Sequence, residues 1–426
     1  MDNATHAFAG LLLADTTLRA IERRTQRPAS RSLRRVAVAL GVIAAEVPDA
    51  DLLYSGPVVG MGKLGYLLHH RGHTHTVVFV VLAALVLWWI ATAVRARSDD
   101  TVAERHGESG PLLALAVAGT LSHLLLDFTN SYGVHPFWPI DNRWVYGDAV
   151  FIVEPWLWVI AIPPLLFGPR RAATRVVLSL LLAAILAAAW LLGAMTTALA
   201  AAVTMTAVVW LIAQRVLTPS RRVAGALVAW GVIEGLFALS SRKADQIIRQ
   251  SLAVEAPSEV IHDVALTPTA ANANCFDVLV VSTDGATYRV RNGAARPWSR
   301  RGIRADSACV PGLGDRGSRF GLLRGVRALA ASADTRVIWR DAWQAPRDAL
   351  QAIAAERCGG AALRFMRVPV WEIEPDGSRR LTDARFGFGG GGFAEVRSPP
   401  GVCSLSPRAW IPAWVPPRAD IVDIGH

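Results

Sequence analysis

The chain has 426 residues, of which 52% are hydrophobic and only 18% charged, with a formal net charge of +10. That length exceeds one ordinary domain, and the charged share falls below the roughly 25% of soluble domains, which excludes a single water-soluble globule. No run of Lys or Arg is interleaved with aromatics, so no nucleic-acid partner is expected; most arginines instead flank apolar segments.

The N-terminal stretch MDNATHAFAGLLLAD has no basic segment ahead of its apolar run, so no cleaved signal peptide is expected. A bilayer-spanning helix needs about 20 mostly apolar residues. Two weak candidates come first, residues 5–20, interrupted by Asp15, and residues 35–47; they suit a partial hairpin. Clear candidates follow at 76–94, 111–128, 150–167, 174–194, 199–212 and 223–240. The expected fold is therefore an α-helical polytopic bundle of about six to eight membrane helices in contact with the lipid bilayer. Arginines group at 19–35, 95–105, 170–175 and 215–222, in alternate connections. The positive-inside tendency assigns that side to the cytoplasm and puts residues 49–75, 130–148 and everything after Ser241 on the other face. Arg242 and Lys243 weigh slightly against this.

The polar residues that stand out map to that second face. His6 opens the first apolar stretch, Asp49 and Asp51 follow Pro48, and HHRGHTHT contributes His70, Arg71 and His75. His123 and Asp127, four apart on one helix, project from the same side. Ionisable groups at membrane depth are expensive and imply function or a specific partner. Mixed His/Asp donors suit a divalent ion, zinc first and manganese as carboxylates increase. With no Gly-rich phosphate loop, G-x-S-x-G elbow or H-E-x-x-H helix, metal-activated water is the chemistry expected. Plainer readings stand beside these. Asp49 and Asp51 also suit a helix end, His123 and Asp127 an intrahelical hydrogen bond, and Arg71 either an anion clamp or the partner of an acidic ligand. His69, His73 and His135 read as hydrogen-bonded interfacial residues, the tryptophans at 88, 89, 138, 144, 156 and 158 as interfacial or lipid-facing bulk, and Asp148 as a charge near a helix start.

Five motifs in order, THAFAGLLLAD, VPDAD, HHRGHTHT, LSHLLLDFTNSYGVHPFWP and DAVFIVEPWLW, resemble the bacterial family of inner-membrane metal-dependent hydrolases, also labelled LexA-binding membrane-bound hydrolases. The resemblance covers residues 1–168 and implies a bacterial inner-membrane protein with its site on the periplasmic side. It implies metal ligation by His6, Asp49, Asp51, His70, His75, His123 and Asp127. Arg71, and Glu154 where the family usually has Asp, are the candidate catalytic residues, Glu154 as a general base or a further ligand. A weaker likeness, in the order of the motifs alone, is to zinc-dependent phospholipases C; it points to a phosphoester or a lipid-like substrate. A non-enzymatic membrane protein with a structural or sensing metal site is the alternative.

Residues 169–241 are expected to add membrane helices, and 242–426 to form a soluble α+β domain on the periplasmic side. Its signals are a stalk helix from Arg242, hairpins about Asp284–Gly285 and Pro375–Asp376–Gly377, an amphipathic helix over 341–357, a flexible glycine loop at 387–392 and a Pro-rich tail without pattern. All four cysteines, Cys275, Cys309, Cys358 and Cys403, fall here. They fit either two disulfides or four buried thiols.

Overall fold

The computed structural model describes residues 1–56, 61–168, 170–299, 309, 320, 323–388, 392–399, 401–403 and 405–422. Residues 389–391 of the expected glycine loop lie outside them.

Helices α1 (Asn3–Thr25) and α2 (Arg31–Glu46) form a hairpin. They pass so closely that a Cβ on Gly10 would lie 2.3 Å from the Gly41 carbonyl oxygen. A short helix α3 (Leu52–Ser55), α4 (Gly62–His69), α5 (Val77–Ala96), the single turn α6 (Val102–Arg105) and α7 (Ser109–Phe128) follow. Leu18, Leu33, Ala84 and Leu115 bind α1, α2, α5 and α7 into one bundle. Against it stand α8 (Pro155–Leu166), α9 (Ala172–Leu191), α10 (Thr197–Ala213) and α11 (Pro219–Glu255), packed through Leu157, Leu182, Val203 and Trp230.

Among the described residues, four helices are long and apolar enough to cross a membrane: α5, α7, α9 and α11. That is fewer than the six to eight expected. Residues 150–154 are not helical, so α8 keeps 12 residues, about 18 Å at the α-helical rise and well short of a ~30 Å hydrocarbon core. The 17-residue α10 also falls short. The expected weak hairpin is α1 and α2, packed on the others.

Helix α11 does not stop at the membrane. Its 37 residues continue into the C-terminal region, where Ala244, Ile247, Ile248 and Leu252 lie against a sheet. Strands β1 (Val260–Thr269), β2 (Asn272–Asp284), β3 (Thr287–Ala295), β4 (Arg327–Ala328) and β5 (Val337–Pro346) form it, antiparallel in the order β1-β2-β3-β5-β4. On β2, Val278 and Val280 face α11, while Leu279 and Val281 face the opposite core. A strand covered on both faces reads as one apolar run, as DVLVV does. Helices α12 (Arg347–Ala355) and α13 (Arg357–Leu363) and the sheet β6 (Pro369–Ile373), β7 (Arg379–Asp383), β8 (Glu395–Ser398) complete the region. The expected hairpins at Asp284 and Pro375 are β2–β3 and β6–β7; the expected amphipathic helix is shorter, because residues 341–346 belong to β5.

The C-terminal region shares its second core with the membrane part. Leu64, Leu67 and Leu68 of α4, and Tyr132 and Trp144 of the α7–α8 connection, pack with Phe365, Trp371 and Trp414. The Pro-rich tail is irregular but anchored: Trp414 is buried and its Nε1 donates to the Leu68 carbonyl. The cysteines pair as Cys275–Cys309 and Cys358–Cys403.

Candidate metal centre

Pro48 follows the last residues of α2, and the chain turns through the 3-10 segment Val47–Asp51. At three residues per turn, positions two apart point in different directions, so Asp49 and Asp51 part company. Asp49 faces α7. Asp51 faces the His-rich loop, where Oδ1 accepts from His70 Nδ1 at 2.9 Å and Oδ2 accepts from the Arg71 backbone N–H at 2.9 Å and the Thr74 hydroxyl at 2.7 Å. Burial works to raise the Asp51 carboxyl, but hydrogen bonds from His70 and His75 overcome it and hold it well below the usual carboxylate range.

Ligand atoms of Asp49, His75, His123 and Asp127 all lie within 4.8 Å of one another. His75 Nε2 stands 3.1 Å from His123 Nε2, 3.5 Å from Asp49 Oδ1 and 3.0 Å from Asp127 Oδ2. His123 Nε2 stands 3.5 Å from Asp49 Oδ1 and 3.6 Å from Asp127 Oδ2. The far nitrogens fix the tautomers. His123 Nδ1–H donates to the Ala45 carbonyl at 2.6 Å. His75 Nδ1–H donates to Thr74 Oγ1 at 3.0 Å, whose own proton goes to Asp51. In the neutral rings both Nε2 atoms then carry a lone pair, and Asp49 Oδ1 has no hydrogen-bond partner. Neutral rings turn two imidazole lone pairs toward two carboxylate oxygens, an arrangement that a cation at its centre would stabilise.

The remaining candidates divide. His6 Nε2 is 3.2 Å from Asp127 Oδ1, which also accepts from the Met1 amino group, and the His6 ring stacks on His123 at 3.8 Å. His70 joins Asp49 and Asp51 in a second group of close donors. Arg71 holds φ +59°, and its Nε lies 2.9 Å from Asp127 Oδ2 while Nη1 donates to Asn130 Oδ1 at 2.9 Å. It partners an acidic side chain rather than standing free as a clamp. Glu154 lies apart: it caps α8 by accepting from the Trp156 N–H, and its second oxygen accepts from Ala271 in the β1–β2 turn, both at 3.2 Å. Among the described residues no hydrogen bond or ion pair joins Glu154 to the cluster. Sequence reasoning passed over Glu46, half-buried beside Asp49 and His123, whose Oε2 accepts from Asn3 Nδ2 at 3.2 Å.

Residues 1–198 match the YdjM inner membrane protein family. No curated protein and no solved structure matches the chain. The YdjM match agrees with the resemblance carried by the five motifs and contains every residue of the cluster. It ends at the start of α10, so α11 and the C-terminal region lie outside it.

That outer region nevertheless covers the YdjM-like part. His73 stacks on Trp410 at 5.1 Å, His135 stacks on Trp414 at 3.8 Å, and His69 Nε2 lies 3.0 Å from the Trp410 carbonyl oxygen. Trp144 and Trp158 are buried and donate to the Arg364 carbonyl and the Thr5 hydroxyl; only Trp89, of the six tryptophans read as interfacial or lipid-facing bulk, is mostly exposed. Burial pushes the His135 imidazole down to about 3, against the hydrogen bond it makes to the Arg71 carbonyl. A depressed histidine contributes stability that is present above its unfolded value of 6.5 and is lost as pH falls through that value toward 3. The thermal midpoint of the detergent-purified protein is expected to fall between pH 7 and pH 5, with a shallower fall in His135→Phe. Equal slopes would mean that His135 titrates no differently in the fold.

Proposed function

We propose that the chain is a membrane-embedded, metal-dependent hydrolase acting on a phosphoester or ester, with a lipid or lipid-linked molecule as substrate. The observation that carries the reading is the convergence of two imidazole Nε2 atoms and two carboxylate oxygens, each nitrogen 3.0–3.6 Å from the other and from both oxygens. Donors held about 2.0–2.1 Å from a tetrahedral zinc stand about 3.4 Å apart, close to the separations from the two nitrogens. Structural zinc sites are rich in cysteine, whereas His/carboxylate sets without thiolates mark catalytic ones. A bound zinc or manganese would lower the pKa of a coordinated water and polarise the scissile oxygen.

The chain's own residues supply the rest. Thr74 and Asp51 set the His75 ring, Ala45 sets His123, and Arg71 balances Asp127. Of the four donors only Asp49 keeps appreciable exposure, 10%, so the site opens on its side. Glu46 stands at that opening, where its carboxylate is placed to take a proton. Ile43 and Leu53, six and four residues from Asp49, are exposed, as suits entry from the lipid phase. The arginine-rich helix ends and the two disulfides support placing the centre and the C-terminal region on the periplasmic side.

Four protein donors also suit a closed structural or sensing ion, the second reading. Metal-loaded protein in detergent, assayed on p-nitrophenyl phosphodiesters, carboxylic esters and phospholipids, separates the two. Turnover that a chelator abolishes, and that Glu46→Gln lowers at least tenfold with metal retained, is the expected result. Metal retention with no turnover on any class would favour the closed ion.

A further inference from the structure

The opposite end of the bundle carries a cavity of about 540 Å³ between the α1–α2 turn and the α5–α7 connection. Its floor is built rather than loose. Arg95, 3% exposed, donates to both oxygens of Glu108 at 2.8 and 2.9 Å and also to Asp100. Ser30, which caps α2 by accepting from the Leu33 N–H, donates to Asp100 at 2.7 Å and ties the turn to that floor. Glu22 accepts from Arg19, from Arg34 and from the Ala29 N–H, and so shapes the same turn. The two acids that line the cavity, Asp100 and Glu108, are thereby neutralised by Arg95.

Two cations are left over. Arg24 and Arg27 line the cavity, are exposed, and have no acidic partner among the described residues. Ile21 and Leu33 give the cavity an apolar wall. On α5, Leu82, Val86, Ile90 and Val94, spaced four apart and all exposed, form an apolar stripe that ends beside Arg95. Unpaired guanidinium groups over a rigid floor, next to an acyl-compatible face, match an anionic amphiphile.

We propose that this cavity binds the phosphate of an anionic phospholipid headgroup through Arg24 and Arg27, with its chains along α5. The site is independent of the metal centre, and the measurement does not depend on hydrolysis. The full chain in detergent would be melted with dioleoyl phosphatidylglycerol, with dioleoyl phosphatidylcholine, or with inorganic phosphate at matched ionic strength, since a ligand of the folded state raises the midpoint. The phosphatidylglycerol shift should be several degrees in the native protein, largely lost in Arg24→Ala/Arg27→Ala, and kept in Arg171→Ala/Arg215→Ala, which removes equal charge elsewhere. If inorganic phosphate gives the same Arg24- and Arg27-dependent shift, the anion site stands and its source is free phosphate. A phosphatidylglycerol shift that survives Arg24→Ala/Arg27→Ala, or an equal shift from phosphatidylcholine, overturns the proposal.

Discussion

Alanine at His75 or His123 is expected to leave the purified chain without bound divalent metal, at less than a tenth of the native content. The native centre brings four donor atoms within 4.8 Å of one another, and each Nε2 is turned to the others because its far nitrogen is held by a hydrogen bond to Thr74 or Ala45. Removing one imidazole leaves three donors and a void in a site where His75, His123 and Asp127 are almost wholly buried, so water replaces the ligand poorly. Asp51→Asn tests the other half of the geometry. If Asp51 acts by orienting His75 and His70, affinity should fall by about 10–100-fold, the usual cost of losing a supporting group, with stoichiometry kept at saturating metal. If Asp51 is a direct ligand, stoichiometry falls as it does for His75→Ala. Elemental analysis for content and competition with a chelating dye for affinity give the two numbers. Native content in both His75→Ala and His123→Ala would sink the centre.

Much of that centre was legible in the sequence because it rests on local rules. His123 and Asp127 share a helix face by their spacing, and the family-like order of motifs brought in Asp49 and His75. What was not legible turns on backbone geometry and distant partners. The 3-10 turn after Pro48 separates Asp49 from Asp51, whereas an acidic pair two residues apart gives no hint of which one faces the centre. Glu154 follows the motif order, yet its second oxygen accepts from Ala271, more than a hundred residues away. His73 and His135 lie under Trp410 and Trp414, pairings that hydropathy cannot show. The surplus of expected spans has the same origin: an apolar window counts residues 150–154, but Pro155 starts α8 and leaves the helix short.

Asp148 is the sharpest example, read as a charge near a helix start and found instead under a guanidinium 219 residues away. Arg367 donates to both Asp148 oxygens at 2.7 Å and to Asp263 of β1 at 2.8 and 3.0 Å, with its guanidinium 4.0 Å over the Tyr146 ring. One buried cation thus joins the α7–α8 connection, β1 and the approach to β6. Burial works to raise both carboxyls. On Asp263 the charges of Arg367 and Arg418 overcome it and hold the group low, while on Asp148 burial prevails and pushes the group up. Arg367→Ala leaves two carboxylates buried without that cation, which costs about 3–5 kcal/mol. Arg367→Lys keeps the charge but cannot serve both forks, so it should fall between alanine and native. Without the guanidinium Asp148, already pushed up by burial, is easier still to protonate in the fold than in the unfolded chain, so the alanine defect should shrink as pH falls from 8 to 5. Thermal midpoints across that range, with protease sensitivity of the C-terminal region at neutral pH, measure it. A midpoint for Arg367→Ala equal to native at pH 8 would show that the membrane part and the C-terminal region are held together without this residue, by the shared core about Tyr132, Trp144 and Trp414 and by hydrogen bonds such as that of Ala271 to Glu154.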